Sequence, residues 1–312
     1  MQNQLAVNIG KLKLKNPVMV ASGTFGYGEE LRSLVSLKKL GAIISKTITL
    51  KPRRGNPPPR TAEVPAGLLN SIGLENPGLE VFLAEKLPVL KKAGVPVIVS
   101  IASESGQEEF VKLLQRLDKI SAVAAIELNI SCPNIKDAKS AQPESLPLIA
   151  QDARATYELV KVLRGVTHKT LITKLSPNVT SVSDIAQAAE RAGSDAVSLI
   201  NTITAMSIDL VSRKPKLAAV TGGLSGPAVR PIAVRMVWEV YRKVKIPIIG
   251  MGGIMDTRDA LEFIIAGASA VSVGTANFIN PGTSVEIIDG IKQYLDKNKI
   301  QHYQELIGSI RL

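Results

Sequence analysis

The sequence predicts an α/β fold, a (β/α)8 TIM barrel in which eight parallel strands close into a cylinder surrounded by helices. Short runs of β-branched and aliphatic residues alternate along the chain with longer amphipathic segments, as in consecutive βαβ units. Hydrophobic residues make up 45% of the chain and aromatic residues only 4%, which is typical of parallel strands buried under helices. At 312 residues the chain has a length that such barrels reach as one domain. We therefore expect one domain over residues 1–312, with a short N-terminal β-hairpin and an extended active-site loop.

The predicted elements follow one another in regular order. Alternating apolar and polar residues around Gly10 predict a hairpin over 5–14 that closes the barrel floor. The irregular segment 49–78 is too long for a simple connection, and its apolar patches favour an ordered lid. Buried strands are predicted at 17–21, 42–45, 96–101, 123–130, 170–175, 196–200, 247–250 and 270–273. Helices are predicted at 29–40, 79–92, 106–119, 145–166, 181–192, 227–244, 256–266 and 283–297.

Composition narrows the function classes. The net charge is +11, but the basic residues are spread along the chain and few aromatics are present for base stacking, so a nucleic-acid ligand is disfavoured. The basic stretch 51–60 is interpreted as a solvated loop. No run of 18 apolar residues and no apolar leader occurs, which argues against a membrane span and export and favours a cytoplasmic location. One cysteine excludes an intramolecular disulfide and an all-cysteine zinc or iron–sulfur site within the chain.

That single cysteine follows the predicted strand at 123–130, in the run Ser131-Cys132-Pro133-Asn134. Active sites of (β/α)8 barrels are built at the carboxyl ends of the strands, where a thiol can serve as nucleophile, base or ligand. The alternative is a small packed side chain, since most free cysteines are buried. Neighbouring Asn129 and Asn134 favour a chemical role, because a merely packed cysteine gives no reason for amides to cluster around it.

Glycine-rich turns follow the last two predicted strands, at Gly252-Gly253 and at Gly274-Thr275. In many (β/α)8 barrels, backbone amides at these two turns and the amino end of a short helix bind phosphate. The two turns together predict a ligand that carries a phosphate group.

The positions of the two histidines narrow the chemistry that the predicted site can perform. His168 precedes the fifth barrel strand and His302 follows the last helix, so neither is expected at the carboxyl ends, which excludes triads and histidine metal sites. Amides recognise a ring that carries C=O and N–H groups, and lysines stabilise anionic charge. Taken together, the amides and lysines predicted at the strand ends and on the lid fit a planar, polar, anionic substrate stacked on flavin mononucleotide (FMN). Lysines that snorkel to solvent and asparagines that only form turns remain alternatives. The polar residues predicted at the strand ends and on the lid are Ser22, Lys46, Asn70, Asn129, Cys132, Asn134, Lys174 and Asn201.

These residues lie in segments that give the chain a family resemblance. It resembles the catalytic subunit of a class 1 dihydroorotate dehydrogenase, and the matching segments cover the predicted barrel in order. They are ASGTFGYG at 21–28, SKTIT at 45–49, RRGNPPPR at 53–60, LLNSIGLENPG at 68–78, ELNISCPN at 127–134, TKLSPN at 173–178, NT at 201–202, GGLSGPA at 222–228, IIGMGGI at 248–254 and VSVGTA at 271–276.

The resemblance implies a role for each matching residue. Cys132 would be the catalytic base that removes a proton from C5 of dihydroorotate while hydride leaves C6 for the flavin. The substrate would be bound by Lys46, Asn70, Ser71, Ile72, Gly73, Leu74, Asn129, Asn134, Asn201 and Thr202. FMN would be bound by Ser22, Lys46, Thr47, Asn129, Lys174, Ile200, Gly226, Gly252, Gly253, Gly274 and Thr275, with Lys174 stabilising the reduced ring. The segment 97–103 departs from the family pattern, so Ser100 is not assigned to the flavin.

Segment 47–78 is more similar to the NAD-linked class 1B branch than to the fumarate-using class 1A branch. The resemblance therefore implies oxidation of dihydroorotate to orotate in pyrimidine biosynthesis, with electrons passing to NAD⁺ through a partner subunit that carries FAD and a [2Fe–2S] cluster. It also implies a homodimer of barrels within a heterotetramer, and no metal on this chain. Class 1A, a flavin-free phosphate-binding lyase or isomerase, and a noncatalytic flavin-binding protein remain as alternatives.

Overall fold

The predicted barrel is present. The computed structural model describes residues 4–30, 33–130 and 149–312. Eight parallel strands close on one another in the order β10-β15-β16-β3-β4-β7-β8-β9, and their side chains are almost all buried. The strands are β1 (Val7–Ile9), β2 (Leu12–Leu14), β3 (Val18–Val20), β4 (Ala42–Ile44), β5 (Thr61–Val64), β6 (Gly67–Asn70), β7 (Val97–Ile101), β8 (Val123–Asn129), β9 (Thr170–Lys174), β10 (Ala196–Leu199), β11 (Ile203–Ala205), β12 (Ile208–Asp209), β13 (Lys214–Pro215), β14 (Gly222–Ser225), β15 (Ile248–Gly250) and β16 (Ala270–Val273).

Helices connect most of the barrel strands, and their apolar faces pack against the outside of the sheet. Side-chain caps fix several starts: Asp152 accepts a hydrogen bond from Ala155 N, and Asp256 accepts from Arg258 N and Asp259 N. The helices are α1 (Gly78–Val81), α2 (Leu87–Lys92), α3 (Gln107–Asp118), α4 (Ala153–Arg164), α5 (Val182–Arg191), α6 (Arg230–Tyr241), α7 (Thr257–Ala266), α8 (Ala276–Ile279) and α9 (Thr283–Lys297).

The predicted hairpin, β1 and β2, lies at the amino end of the barrel. Lys11 N donates a hydrogen bond of 3.1 Å to the Thr170 hydroxyl at the start of β9. A Cβ on Gly10 would come within 2.7 Å of Asp195 Cβ, and φ of Gly10 is +57°, so the turn can approach the barrel only as glycine. The hairpin therefore covers the floor, opposite the end where the predicted site residues lie.

Four short strands form a second, antiparallel sheet over the other end of the barrel, in the order β11-β14-β6-β5. Strands β5 and β6 come from the segment predicted as an ordered lid, whereas β11 and β14 come from the segment after β10, for which no strand was predicted. We call this the lid sheet. Its centre joins residues far apart in sequence, because Asn70 pairs with Gly223.

Several predicted helices differ from the structure. The helix predicted at 29–40 is wrong for the residues described there: only a 3-10 turn, Leu37–Lys39, is formed. Serines 33 and 36 favour turns over helix, and the segment buries Val35 and Leu40 while Leu34 stays exposed. The helix predicted at 145–166 begins only at Ala153, after the Asp152 cap, and its first predicted residues, 145–148, lie outside the described residues.

Two other predicted helices are interrupted rather than continuous. Between α1 and α2 the chain forms a π-helical turn, Phe82–Lys86, before Pro88, which cannot donate a helical hydrogen bond. Pro227–Val229 forms a 3-10 turn before α6 begins at Arg230. Within residues 4–30, 33–130 and 149–312, no helix is long and apolar enough to cross a membrane.

Candidate active site

A cavity of about 350 Å³ opens between the carboxyl ends of the barrel strands and the lid sheet. This volume is in the range of small-molecule and cofactor sites, about 300–1,000 Å³. Its lining includes three cationic side chains, those of Lys46, Arg60 and Lys174, and one carboxylate, that of Glu75. The described wall is therefore biased towards an anionic ligand.

The end of β8 and the end of β9 form one side of this cavity. Asn129 and Lys174 are paired residues of the two strands, and both are buried. Asn129 Nδ2 donates to Thr47 Oγ1 at 3.1 Å, and the Thr47 hydroxyl also lies 3.0 Å from Ser22 Oγ and 2.9 Å from Ser100 Oγ. A buried hydrogen-bond network thus fixes the polar groups on this wall.

Lys174 has a carboxylate behind it. Glu127 is fully buried on β8, two residues before Asn129, and does not line the cavity. Its Oε1 lies 3.9 Å from Lys174 Nζ, and its Oε2 accepts a hydrogen bond of 3.0 Å from Ser198 Oγ. The charge of Lys174 is therefore paired with a group outside the cavity wall.

The turns after β15 and β16 form the opposite side, where backbone replaces functional side chains. Gly253 has φ +82°, and a Cβ there would lie 2.8 Å from Arg230 N and 2.9 Å from Gly226 O. Gly226 itself has φ +97°. Thr275 Oγ1 donates to Ser225 Oγ at 2.8 Å, which links the second turn to β14 of the lid sheet.

The lid sheet completes the wall. Asn70 Nδ2 donates to Gly223 O at 3.2 Å, and a Cβ on Gly223 would collide with Thr202. The lack of a side chain at Gly223 thus lets the lid approach the loop after β10. Arg60 Nη1 lies 2.7 Å from Glu75 Oε2, so a partly buried ion pair stands at the cavity edge.

The cavity gathers most of the residues that the sequence analysis singled out. Ser71 and Gly226 lie beside the wall without lining it, and Ser100 lies behind Thr47. Cys132 and Asn134 fall outside the described residues. The predicted residues that line the cavity are Ser22, Lys46, Thr47, Asn70, Ile72, Gly73, Leu74, Asn129, Lys174, Ile200, Asn201, Thr202, Gly252, Gly253, Gly274 and Thr275.

Some lining residues were missed from the sequence. Arg60 was interpreted as part of a solvated loop, and this is wrong: it lines the cavity and pairs with Glu75. The alternation of 61–64 and the turn at Ala66-Gly67 were signals of a hairpin, whose register places Arg60 opposite Ser71. Ser225 and Phe278 also line the cavity, and no pattern in their segments distinguished them.

Neither histidine lines the cavity. The backbone N–H of His168 donates to Asp118 before β9, and His302 precedes the 3-10 turn Tyr303–Leu306. Within the described part of the chain, no cluster of three or more His, Cys, Asp or Glu side chains is arranged to hold a metal ion.

Together these features define a class: a (β/α)8 barrel with a small-molecule site for an anionic ligand at the carboxyl ends of its strands. Residues 4–295 match the family model for dihydroorotate dehydrogenase, and the chain belongs to that family.

Relatives named "Dihydroorotate dehydrogenase B (NAD(+)), catalytic subunit" match along almost the whole chain. The protein of Trichlorobacter lovleyi is 51% identical over 310 residues, 99% of each chain. That of Geobacter metallireducens is 52% identical over 308 residues, 99% of this chain and 98% of its own. The protein of Desulforamulus reducens is 52% identical over 312 residues, the full length of both. The predicted family and its class 1B branch are confirmed.

Proposed function

We propose that this chain is the catalytic subunit of an NAD-linked dihydroorotate dehydrogenase, which oxidises (S)-dihydroorotate to orotate in pyrimidine biosynthesis. The observation that carries the proposal is the cavity itself. Buried Asn129 and Lys174 offer an amide and a cation on one side, and two glycine turns offer backbone on the other. The full-length relatives bear the same activity in their name. Residues 1–312 would form one FMN-binding domain.

The cavity fits FMN in its chemistry. Gly252, Gly253, Gly274 and Thr275 would hold the phosphate, because backbone amides and a hydroxyl suit an anion. Lys174 would place a positive charge beside the ring, and Ser22, Lys46, Thr47, Asn129, Ile200 and Gly226 would complete the site. FMN, when bound, supplies a ring that accepts hydride.

The substrate would lie against the remaining polar groups. Lys46 would balance its carboxylate, and amides would fix the orientation of its ring C=O and N–H groups. Cys132 would act as the base at C5, which requires the thiolate form. The proposed substrate residues are Lys46, Asn70, Ser71, Ile72, Gly73, Leu74, Asn129, Asn134, Asn201 and Thr202.

The names of the relatives and the cysteine count support a partner subunit. The relatives' name contains "catalytic subunit" and "NAD(+)", which supports a second subunit and NAD⁺ as the acceptor. A [2Fe–2S] cluster needs several cysteine ligands and this chain has one, so the cluster and an FAD would belong to that partner. We place the complex in the cytoplasm, as a heterotetramer built on a homodimer of barrels.

The decisive experiment is a spectrum. The purified chain should carry FMN, released by denaturation and identified by mass, and dihydroorotate added without oxygen should bleach the flavin absorption. Absence of flavin would favour a lyase or isomerase, and bound flavin that dihydroorotate cannot reduce would favour a noncatalytic flavin-binding protein.

Cys132→Ser tests the base. A hydroxyl is far harder to deprotonate than a thiol of pKa about 8.5, so flavin should stay bound while its reduction by dihydroorotate becomes much slower at neutral pH and faster as pH rises. Reduction at the wild-type rate at neutral pH would remove the thiol from the mechanism.

The acceptor is tested with the isolated chain. It should reduce an artificial dye with dihydroorotate but should reduce NAD⁺ only after the partner subunit is added. Robust turnover with fumarate would move the protein to class 1A, and robust NAD⁺ turnover by the isolated chain would show that no relay subunit is needed.

A further inference from the structure

One buried carboxylate has no role in the function proposed above. Glu127 lies inside the apolar run of β8 and is fully buried, yet it does not line the cavity. A carboxylate in an apolar interior is unfavourable unless its charge is neutralised and its oxygens are hydrogen-bonded. Its position in the barrel core therefore calls for a partner.

The two oxygens of Glu127 have unequal surroundings. Oε2 accepts the hydrogen bond from Ser198 Oγ, whereas Oε1 accepts none from the residues that the structure describes. Oε1 instead faces Lys174 Nζ across 3.9 Å, a separation that allows charge attraction but is too long for a direct hydrogen bond. Within the described ranges, this is the one ion pair that either group makes.

Strand register explains the arrangement. Lys174 on β9 is paired with Asn129 on one side and with Ser198 on the other. Glu127 lies two residues before Asn129 on β8, so its side chain approaches Lys174 from the barrel core. Lys174 thus stands between a carboxylate in the core and the ligand space in front of it.

We propose that Glu127 is a positioning residue, the buried counter-ion that holds the Lys174 ammonium in place at the cavity wall. A buried charge without a partner is unfavourable, so without Glu127 the ammonium would turn away from the ring site. This inference rests on the proposed function, because Lys174 is there assigned to FMN. Glu127 would act on the bound ring only through Lys174.

Glu127→Gln is the first test. Glutamine keeps the length of the side chain and an oxygen for the Ser198 hydrogen bond, but it offers no charge to Lys174. With FMN as the probe, we expect about a tenfold rise in its dissociation constant. We also expect a fall in the flavin midpoint potential equivalent to a further tenfold, about 30 mV for a two-electron couple.

Making Glu127→Gln in a Lys174→Met background distinguishes an effect of the Glu127–Lys174 charge pair from an effect of side-chain packing. Lys174→Met leaves Glu127 buried without a counter-ion, which is strongly unfavourable. In that background Glu127→Gln should raise both the unfolding temperature and FMN retention, whereas beside Lys174 it should lower both, because there it breaks a buried ion pair. Opposite signs in the two backgrounds are expected only if the carboxylate acts through the lysine.

Glu109→Gln is the matched control. Glu109 is a second buried carboxylate, does not line the cavity, and accepts backbone hydrogen bonds from Glu104 N at 2.8 Å and Ser105 N at 3.0 Å. Its substitution should lower stability and leave the flavin potential unchanged. A potential that moves equally in both variants would assign the effect to general loosening and overturn the proposal.

The remaining outcomes are also decisive. An unchanged potential in Glu127→Gln overturns the proposal, and a raised one does too, since it would show the carboxylate acting directly on the ring. If Glu127→Gln does not fold, Glu127→Asp is measured instead, because aspartate keeps the charge but holds it farther from Lys174. A wild-type flavin potential in Glu127→Asp would overturn the proposal. If the wild-type chain binds FMN and dihydroorotate reduces that FMN, the proposed function stands even when the Glu127 proposal fails. If the wild-type chain neither binds FMN nor is reduced by dihydroorotate, both the proposed function and the Glu127 proposal are wrong.

Discussion

The two sides of the cavity are built from different parts of the chain. At the ends of β8 and β9, buried side chains face the ligand space, and Asn129 and Lys174 are held by hydrogen-bonded or charged neighbours. After β15 and β16, glycines leave the backbone itself as the wall. A wall of side chains can lose one functional group while the fold persists. A wall of backbone depends on the path of the chain, so we expect a substitution that forces the chain to move, as at Gly253, to affect stability and binding together.

Gly253→Ala should have the largest effect. The residue has φ +82°, and the new Cβ would press on Arg230 N and Gly226 O. Left-handed backbone alone costs a non-glycine residue about 1–3 kcal/mol, and the collision with backbone atoms adds to this. We expect a loss of more than about 3 kcal/mol in the free energy of unfolding, measured by urea denaturation, together with loss of FMN.

Lys174→Ala should weaken FMN binding on the wall that is built from side chains. A hydrogen bond to a charged group is worth about 1.5–3 kcal/mol, so FMN retention should weaken by about that amount, with a lower flavin potential. Titration of the apoprotein with FMN measures the first effect, and equilibration with a reference dye measures the second. Wild-type affinity and potential would mean that Lys174 only packs against the strand.

Gly274→Ala tests the backbone wall without disturbing the fold. Gly274 lines the cavity, and a Cβ there would lie 3.8 Å from its nearest neighbours, Ala21 Cβ and Thr24 Cγ2, which is ordinary contact. We expect an unfolding temperature close to that of wild type and FMN binding weaker by about 1 kcal/mol, because the methyl group takes ligand space. A large stability loss would show that Gly274 is fixed by the fold, as Gly253 is.

The same contrast explains what the sequence could predict. Lys174 and Asn129 were identified because a charge and an amide are conspicuous inside apolar strands, and glycine pairs are conspicuous after them. The lid sheet was missed because Asn70 and Gly223 are 153 residues apart, so their pairing leaves no local periodicity. The helix predicted at 29–40 failed because apolar spacing alone does not show that serines will favour a turn.

Arg60→Ala should have a smaller effect than these substitutions. The ion pair with Glu75 is partly exposed, with side-chain exposures of 30% and 45%, and such pairs contribute about 0–1 kcal/mol. Stability should change by no more than that, while the Michaelis constant for dihydroorotate should rise because the cavity edge loses a cation. Glu75→Gln is the control, since it breaks the same pair and leaves the cation. An equal rise in that variant would show that the pair matters only for lid structure.

Glu109 lies outside the cavity, so its substitution should have the smallest effect on the site, and it serves as a reference for the charged wall. Burial raises the pKa of this carboxyl, but backbone hydrogen bonds from Glu104, Ser105 and Leu50, with the Ser105 hydroxyl, outweigh burial and hold the pKa below its ordinary value of 4.5. A lowered folded-state pKa means that the ionised form stabilises the native state. That stability is complete above pH 4.5 and is lost as pH falls through the lower folded-state value.

Urea denaturation of wild type and Glu109→Gln from neutral pH down to about pH 3 checks this sign. The stability difference should stay constant on the neutral side and shrink below pH 4.5. A difference that grows as the pH falls would mean that Glu109 is protonated more readily in the folded protein. In that case several backbone donors would not stabilise the ionised carboxylate of Glu109. Glu109 would then be no better stabilised as an anion than Glu127, which has one hydroxyl donor and is paired with Lys174.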